Sequence, residues 1–203
     1  MLIFLRHALA YLAVPKTGTT AIETALRPQA EIIFTRRRKH ITAARYRNKV
    51  APFLEDTFGV RPVSVAVMRE PVDQLRSWFR YRAQDRLLGT MQSTAGIDFD
   101  TFVTEAISDA PPPRAQIGRQ FRFLTDGRGA LCVNHLCAYE AQEKLIAFLS
   151  ERLEMEIDVP PRNVSPMVEA ELSPQTLSSL KAARPEDFEL HARLLAQGGQ
   201  MAL

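Results

Sequence analysis

The chain has 203 residues, enough for one substantial α/β domain with its own core and too few for two full ones. Its 46% hydrophobic and 24% charged residues exclude wholesale disorder, and a net charge of +3 suits an anionic ligand without singling out nucleic acid. No apolar run approaches the ~20 residues of a membrane span, and Cys132 and Cys137 fit neither a zinc knuckle nor a disulfide framework, so a soluble, intracellular, cytoplasmic protein with reduced, semi-buried cysteines is expected.

The first segment, Met1 to Val14, has a signal peptide's apolar character, but Arg6 and His7 interrupt it and Pro15-Lys16 ends it. Leu9 to Val14 reads instead as a strand that feeds Pro15-Lys16-Thr17-Gly18-Thr19-Thr20, and Ala21 to Leu26 leaves that stretch as a helix. A strand, tight turn and helix entrance make an anion site: the first N–H groups of a helix lack intrahelical partners and carry the positive end of its dipole. Gly18 permits the curl of the turn, Thr19 and Thr20 add hydroxyls, and Lys16 adds a full charge. The stretch does not match G-x-x-x-x-G-K-[ST], because Lys16 precedes the only Gly and no Lys-Ser or Lys-Thr pair follows. Pro, Gly and Thr are also ordinary turn and capping residues.

Beyond the first helix, residues 30–35 read as a short buried strand ending at Arg36-Arg37-Arg38-Lys39, and residues 41–58 as helical on either side of Pro52. Val63 to Met68 is the clearest strand, followed by Arg69-Glu70 and a helix that Pro71 opens and that runs toward Leu87. Asp98 or Asp100 caps a helix through Ile107, which Pro111-Pro112-Pro113 terminates. Residues 129–137 are expected as a strand and 140–153 as a helix, and two further helices open at Pro174 and Pro185. Strands alternating with helices predict a mainly parallel sheet covered on both faces, with ligands at the carboxyl ends of the strands. His7, His40, His135 and His191 lack metal-ligand spacing, so no metal site is expected; His135 reads as a satisfied core histidine and His191 as part of an amphipathic helix without chemical role.

Three candidate sites therefore share one edge of the sheet: the Lys16 loop, the segment from Arg36 to His40, and Arg69 with the helix after it. Ser77 lies eight residues after Arg69, where an Arg and a hydroxyl can meet on one phosphate. At these residues the chain resembles the sulfotransferases that use 3'-phosphoadenosine 5'-phosphosulfate, PAPS. Pro15-Lys16-Thr17-Gly18-Thr19-Thr20 is similar to that family's 5'-phosphosulfate loop, and Arg69-Glu70-Pro71 with Ser77 to its 3'-phosphate motif. Ala138-Tyr139-Glu140, Asn163-Val164-Ser165 and Leu172-Ser173-Pro174 leading to Asp187-Phe188 extend the likeness more weakly to bacterial and carbohydrate-type members.

The resemblance implies a three-layer α/β domain of the P-loop nucleoside-triphosphate-hydrolase kind spanning residues 1–203, with PAPS as co-substrate, adenosine 3',5'-bisphosphate as product and no metal. It implies that Pro15, Lys16, Thr17, Gly18, Thr19, Thr20, Arg69 and Ser77 bind the nucleotide, that Lys16 stabilises the departing phosphate, and that His40 is the base. The plainer alternative reads His40 as a solvated residue before a helix capped by Thr42. Arg36 to Arg38 divide between a solvated charge run and an anion contact; Lys39 assists at the transferring group, and Arg162 and Asn163 close over the nucleotide. Trp78 reads as packing rather than an adenine platform. The acceptor, a small molecule or saccharide, is assigned to loops such as 90–96 and 110–120; the oligomeric state is not legible. A P-loop kinase or nucleotidase is the enzyme alternative. A non-catalytic module binding PAPS or nucleic acid is the other, although the basic stretches lack the interleaved aromatics of a stacking platform.

Overall fold

The computed structural model describes residues 1–159 and 169–203. The apolar amino-terminal run folds as a hairpin, whose second strand is the one expected from Leu9. β1 (Leu2–Phe4) pairs antiparallel with β2 (Leu9–Leu12), Leu2 opposite Tyr11 and Phe4 opposite Leu9, and Arg6 and His7 lie in the turn between them. After α1 (Thr19–Leu26), β3 (Ile32–Ile33) pairs antiparallel with β1. The strand expected over 30–35 shrinks to two half-buried residues, because 3-10 turns at Arg27–Gln29 and Arg36–Arg38 close in from both sides.

α2 (Ala43–Arg45) continues through a π-helical turn, Tyr46–Val50, into α3 (Ala51–Phe58). The segment is helical on both sides of Pro52, as expected, and Pro52 falls in the first turn of α3, where its missing N–H costs least. β4 (Val63–Met68) leads to α4 (Pro71–Arg82), which stops short of Leu87. α5 (Phe99–Ala106) is capped by the Asp98 carboxylate, which accepts from the Thr101 N–H at 2.7 Å. Then follow α6 (Gln120–Leu124), β5 (His135–Ala138), α7 (Gln142–Leu153), α8 (Pro174–Ala183), α9 (Pro185–Ala196) and β6 (Gln200–Ala202). Residues 129–134, read as the start of a strand, lie outside it: a turn at Gly127-Arg128 is closed by a single bridge between Thr125 and Leu131, and the chain then runs on into β5. Pro71, Pro174 and Pro185 each occupy the first position of their helix, where the missing N–H is no loss.

The described strands form one sheet in the order β3-β1-β2-β4-β5-β6. β2, β4 and β5 are parallel neighbours, whereas β1 and β6 run against theirs, so the sheet is mixed and the expected mainly parallel arrangement is corrected. The reason is local: a hairpin at one side and the tight Gly198-Gly199 turn at the other add antiparallel strands to a parallel centre.

Helices cover both faces, giving three layers. On one face Ala10, Leu12, Ala66 and Leu136 meet Leu54 of α3, Leu124 of α6 and Leu194 of α9. On the other, Tyr11, Val65 and Cys137 meet Ile22 of α1 and Leu145 and Leu149 of α7. A third cluster stands off the sheet where α4, α5 and α8 converge, with Phe79, Phe99 and Phe102 at ring separations of 5.4 to 6.3 Å. Cys132 and Cys137 are free and fully buried rather than semi-buried.

From β2 the chain turns outward to β3, and from β4 it turns the other way to β5. The crevice at such a reversal, outside the carboxyl ends of the strands, is where α/β sheets hold ligands. Here it lies between the ends of β2 and β4. No described helix is long and apolar enough to cross a membrane.

β6 depends on Gly199. Its φ is +83°, and a Cβ there would stand 2.7 Å from the Ala141 Cβ. Gly199→Ala is expected to cost about 3 kcal/mol in urea unfolding, left-handed backbone and overlap together. Gly198→Ala should cost only about 1 kcal/mol, since its left-handed backbone faces the end of the flexible Lys144 side chain, whose ammonium donates to the Gly198 carbonyl and can shift aside.

Candidate functional site

The loop after β2 is held from within. Thr17 is buried, and its hydroxyl donates to the Val14 carbonyl at 3.0 Å; it shapes the loop and does not line the cleft above it. Lys16 and Gly18 both adopt left-handed backbone, φ 68° and 73°. For Gly18 this is free, while for Lys16 it costs about 1–2 kcal/mol, strain of the kind stored at functional loops. A Cβ on Gly18 would lie 3.0 Å from the Tyr139 ring, so this position needs glycine for close packing as well as for its angle. Thr19 and Thr20 are the first residues of α1, whose opening N–H groups have no intrahelical acceptor.

The peptide at Arg69 is fixed as firmly. Gln120, 2% exposed, accepts from the Arg69 N–H at 2.9 Å and donates to the Arg69 carbonyl at 2.8 Å. Glu140 accepts from the Glu70 N–H at 2.8 Å and from His191 Nε2 at 3.1 Å. Partial burial works against its charge, but the hydrogen bonds from His191 and Glu70 outweigh it and hold this carboxyl below its ordinary value. His191, read as having no chemical role, thus braces the Arg69-Glu70 turn through Glu140. Glu70 in turn caps α4, its carboxylate accepting from the Asp73 N–H at 2.7 Å. The Arg69 guanidinium lies 4.4 Å over the Tyr139 ring and its Nη1 reaches the Lys16 carbonyl at 3.5 Å, yet its buried Nε has no acceptor. A buried, unmatched donor on a cation is costly unless an anion completes it.

These parts wall a cleft of about 590 Å³, in the size range of small-molecule sites. Pro15, Lys16, Gly18, Thr19, Thr20, His40, Arg69 and Ser77 all line it, so the two motifs and the histidine meet in one place. Lys39 and Arg86 add positive charge, and no carboxylate lies among the lining residues. Trp78, read as packing, lines the cleft too, together with Tyr81, Gln84 and Tyr139, which sequence reasoning missed. A spacing signal existed for Tyr81: it follows Ser77 by one helical turn.

The Lys16 ammonium sits 4.0 Å from the Tyr81 ring centroid and 5.4 Å from that of Trp78. Burial, then the positive fields of Arg69, Arg86 and Arg82, lower its pKa to about 8. The folded chain therefore binds fewer protons than the unfolded one between about 8 and 10.5, so this lysine weakens the fold below pH 8 and less so as pH rises.

His40 Nδ1 lies 2.7 Å from the Ala13 carbonyl oxygen. An oxygen there requires the proton on Nδ1, which leaves Nε2 with a free lone pair in the neutral ring. Partial burial of the ring, whose outer edge stays exposed, holds it below its ordinary pKa against the Ala13 hydrogen bond, helped by the charges of Lys39 and the amino terminus rather than by Arg38. Lys39 itself is engaged, its Nζ 2.7 Å from Glu23 Oε2, and so is not free for a transferring group. Arg36 and Arg38 are exposed and do not line the cleft. His135 is not a satisfied core histidine: its ring packs 4.5 Å from that of Phe148, and Nδ1 is buried without a partner. Asn163, Val164, Ser165 and Arg162 lie outside the described residues.

Among the described residues, no group of three or more His, Cys, Asp or Glu side chains is placed to hold a metal ion. No protein-family model, curated protein or solved structure matches the chain.

Gln120→Leu keeps the side-chain volume but strands both Arg69 backbone groups. It should lower unfolding free energy by about 2–4 kcal/mol in a denaturant titration.

Proposed function

We propose that this chain is a PAPS-dependent sulfotransferase with a P-loop-like nucleotide site, acting on an acceptor hydroxyl or amine of a small molecule or saccharide. The observation that carries the reading is the meeting of the Lys16 loop, Arg69 with Ser77, and His40 in one carboxylate-free cleft at the switch point of the sheet. The donor set fits a ligand with two separate anionic groups. The loop amides with Thr19 and Thr20 suit the 5' group, and Arg69, with its unmatched Nε, suits a 3'-phosphate shared with Ser77.

PAPS supplies a sulfuryl group whose bond to the bridging phosphate oxygen breaks as a bond from sulfur to the acceptor forms, releasing adenosine 3',5'-bisphosphate. His40 Nε2 takes the acceptor proton, its Nδ1–H held on Ala13 so that the lone pair keeps one direction. Lys16 leaves its aromatic seat and places positive charge where the leaving phosphate gathers negative charge. Tyr139 backs both the Gly18 turn and the Arg69 guanidinium and so holds the spacing between the two anion sites.

Thermal shift with adenosine 3',5'-bisphosphate, compared with ATP and magnesium, tests the nucleotide class. Stabilisation by the bisphosphate without metal is expected, and selective stabilisation by ATP with magnesium would replace this reading with a kinase or nucleotidase. Radiolabelled sulfate transfer to a panel of acceptors tests the reaction, and its absence from a protein that binds the bisphosphate would point to a binding module. In that assay His40→Gln should lower turnover by ~10²–10⁴-fold with nucleotide affinity retained.

The charge on Lys16 gives the site a pH signature. Ligand phosphates, with a second pKa of about 6, are fully ionised above pH 7, so any loss of affinity beyond that belongs to the protein. Bisphosphate affinity should hold from pH 7 to about 8 and fall above it, as the lysine loses its proton. Lys16→Met should flatten that profile in calorimetry and lower turnover by ~10²–10³-fold.

A further inference from the structure

A second cleft, of about 430 Å³, has Thr42, Ile117, Arg119, Arg122, Phe123 and Arg184 in its wall. Chain connectivity brings its wall close to that of the first at two points. His40 lines the first cleft and Thr42 the second, and two residues of chain span at most about 7 Å. Arg119 lines the second cleft, while its neighbour Gln120 holds the peptide of Arg69, which lines the first.

The charges around this cleft do not balance. Arg119 donates from Nη2 to Glu186 at 2.7 Å and from Nε to Asp187 at 2.8 Å, and so occupies both carboxylates at the start of α9. Arg184 is 7% exposed; its Nη2 donates to the Ala106 carbonyl at 2.6 Å, and it forms no ion pair with a described carboxylate. Arg122 forms no ion pair among the described residues either. Burial, together with the fields of Arg119 and Arg122, lowers the Arg184 pKa against the pull of Asp187. Three guanidinium groups gathered against two carboxylates repel one another, and an anionic ligand relieves that repulsion while taking planar, paired hydrogen bonds. Ile117 and Phe123 add apolar surface for the body of such a molecule.

We propose that this cleft is the acceptor subsite and that the acceptor carries a carboxylate, sulfate or phosphate besides the hydroxyl or amine it presents to His40. The proposal rests on the sulfotransferase reading of the first cleft. Arg122 is the residue that gives the subsite its charge preference, because it alone of the three arginines has neither a carboxylate in ion-pair contact nor a side-chain hydrogen bond to the fold among the described residues, only the longer-range field it shares with Glu186.

The test is calorimetry on the full chain saturated with adenosine 3',5'-bisphosphate, with 4-nitrophenyl β-D-glucuronide, 4-nitrophenyl sulfate and 4-nitrophenyl phosphate as anionic probes and 4-nitrophenyl β-D-glucoside as the neutral one. At least one anionic probe should bind tenfold or more tightly than the glucoside, and the best of them names the group. Arg122→Gln, at a side chain without ion pairs, should bring that preference below threefold with bisphosphate affinity unchanged and the circular dichroism spectrum of the wild type. Equal affinity for all four probes, no binding of any, or a preference that survives Arg122→Gln would overturn the proposal. If the bisphosphate itself does not bind, the sulfotransferase reading falls and takes the acceptor role with it. That outcome is distinct from a lost anion preference on a protein that still binds the nucleotide.

Discussion

Everything at the ligand edge of this sheet depends on how the chain leaves β4. Two backbone groups of Arg69 are taken by one buried amide, Gln120, and the next N–H by Glu140. Left unmatched in a low-dielectric setting, each would cost about 1–3 kcal/mol. Because Gln120 opens α6 and Glu140 follows β5, these bonds tie the layers on both sides of the crevice to a single turn. The guanidinium of Arg69, the start of α4 and hence Ser77 and the aromatic residues beyond it all take their positions from that turn.

The parallel centre of the sheet supplies the second constraint. With Leu12 opposite Ala66 and Met68 opposite Ala138, the ends of β2, β4 and β5 reach the same edge, and each ends in a segment that carries part of the cleft. The antiparallel strands β1 and β6 contribute no lining residue. They widen the platform and bury its flanks, and the three central strands are mostly apolar, as strands covered on both faces are, with Ser64 and His135 as the polar exceptions.

Much of this was legible in the residues alone. The strand before Lys16, the strand before Arg69 and the helices at Pro71, Pro174 and Pro185 carry strong local signals, and the likeness of two motifs brought Lys16, Arg69, Ser77 and His40 together before any contact was known. The hairpin was not legible, because β1 and β2 are fully buried and show no alternation, and α6 is too short to display a helical period. Tyr139 and the Glu140–His191 pair were missed in their roles for another reason. His191 lies 51 residues from Glu140, and no local pattern encodes a partner that the fold alone supplies.

Lys16 rests against Tyr81 and Trp78, on the same helix that carries Ser77. A cation seated on aromatic faces is held by about 1–2 kcal/mol, so drawing it away weakens any ligand that requires the move by roughly tenfold. In the proposed site the ammonium would thus have two exclusive partners, the ring faces before a ligand arrives and the anion afterwards. While it stays, it shares those rings with Arg82 beside Trp78 and Arg86 beside Tyr81. For the nucleotide proposed above, recognition would thereby acquire an order of events: the anionic end would have to engage first, drawing Lys16 off the rings as it binds.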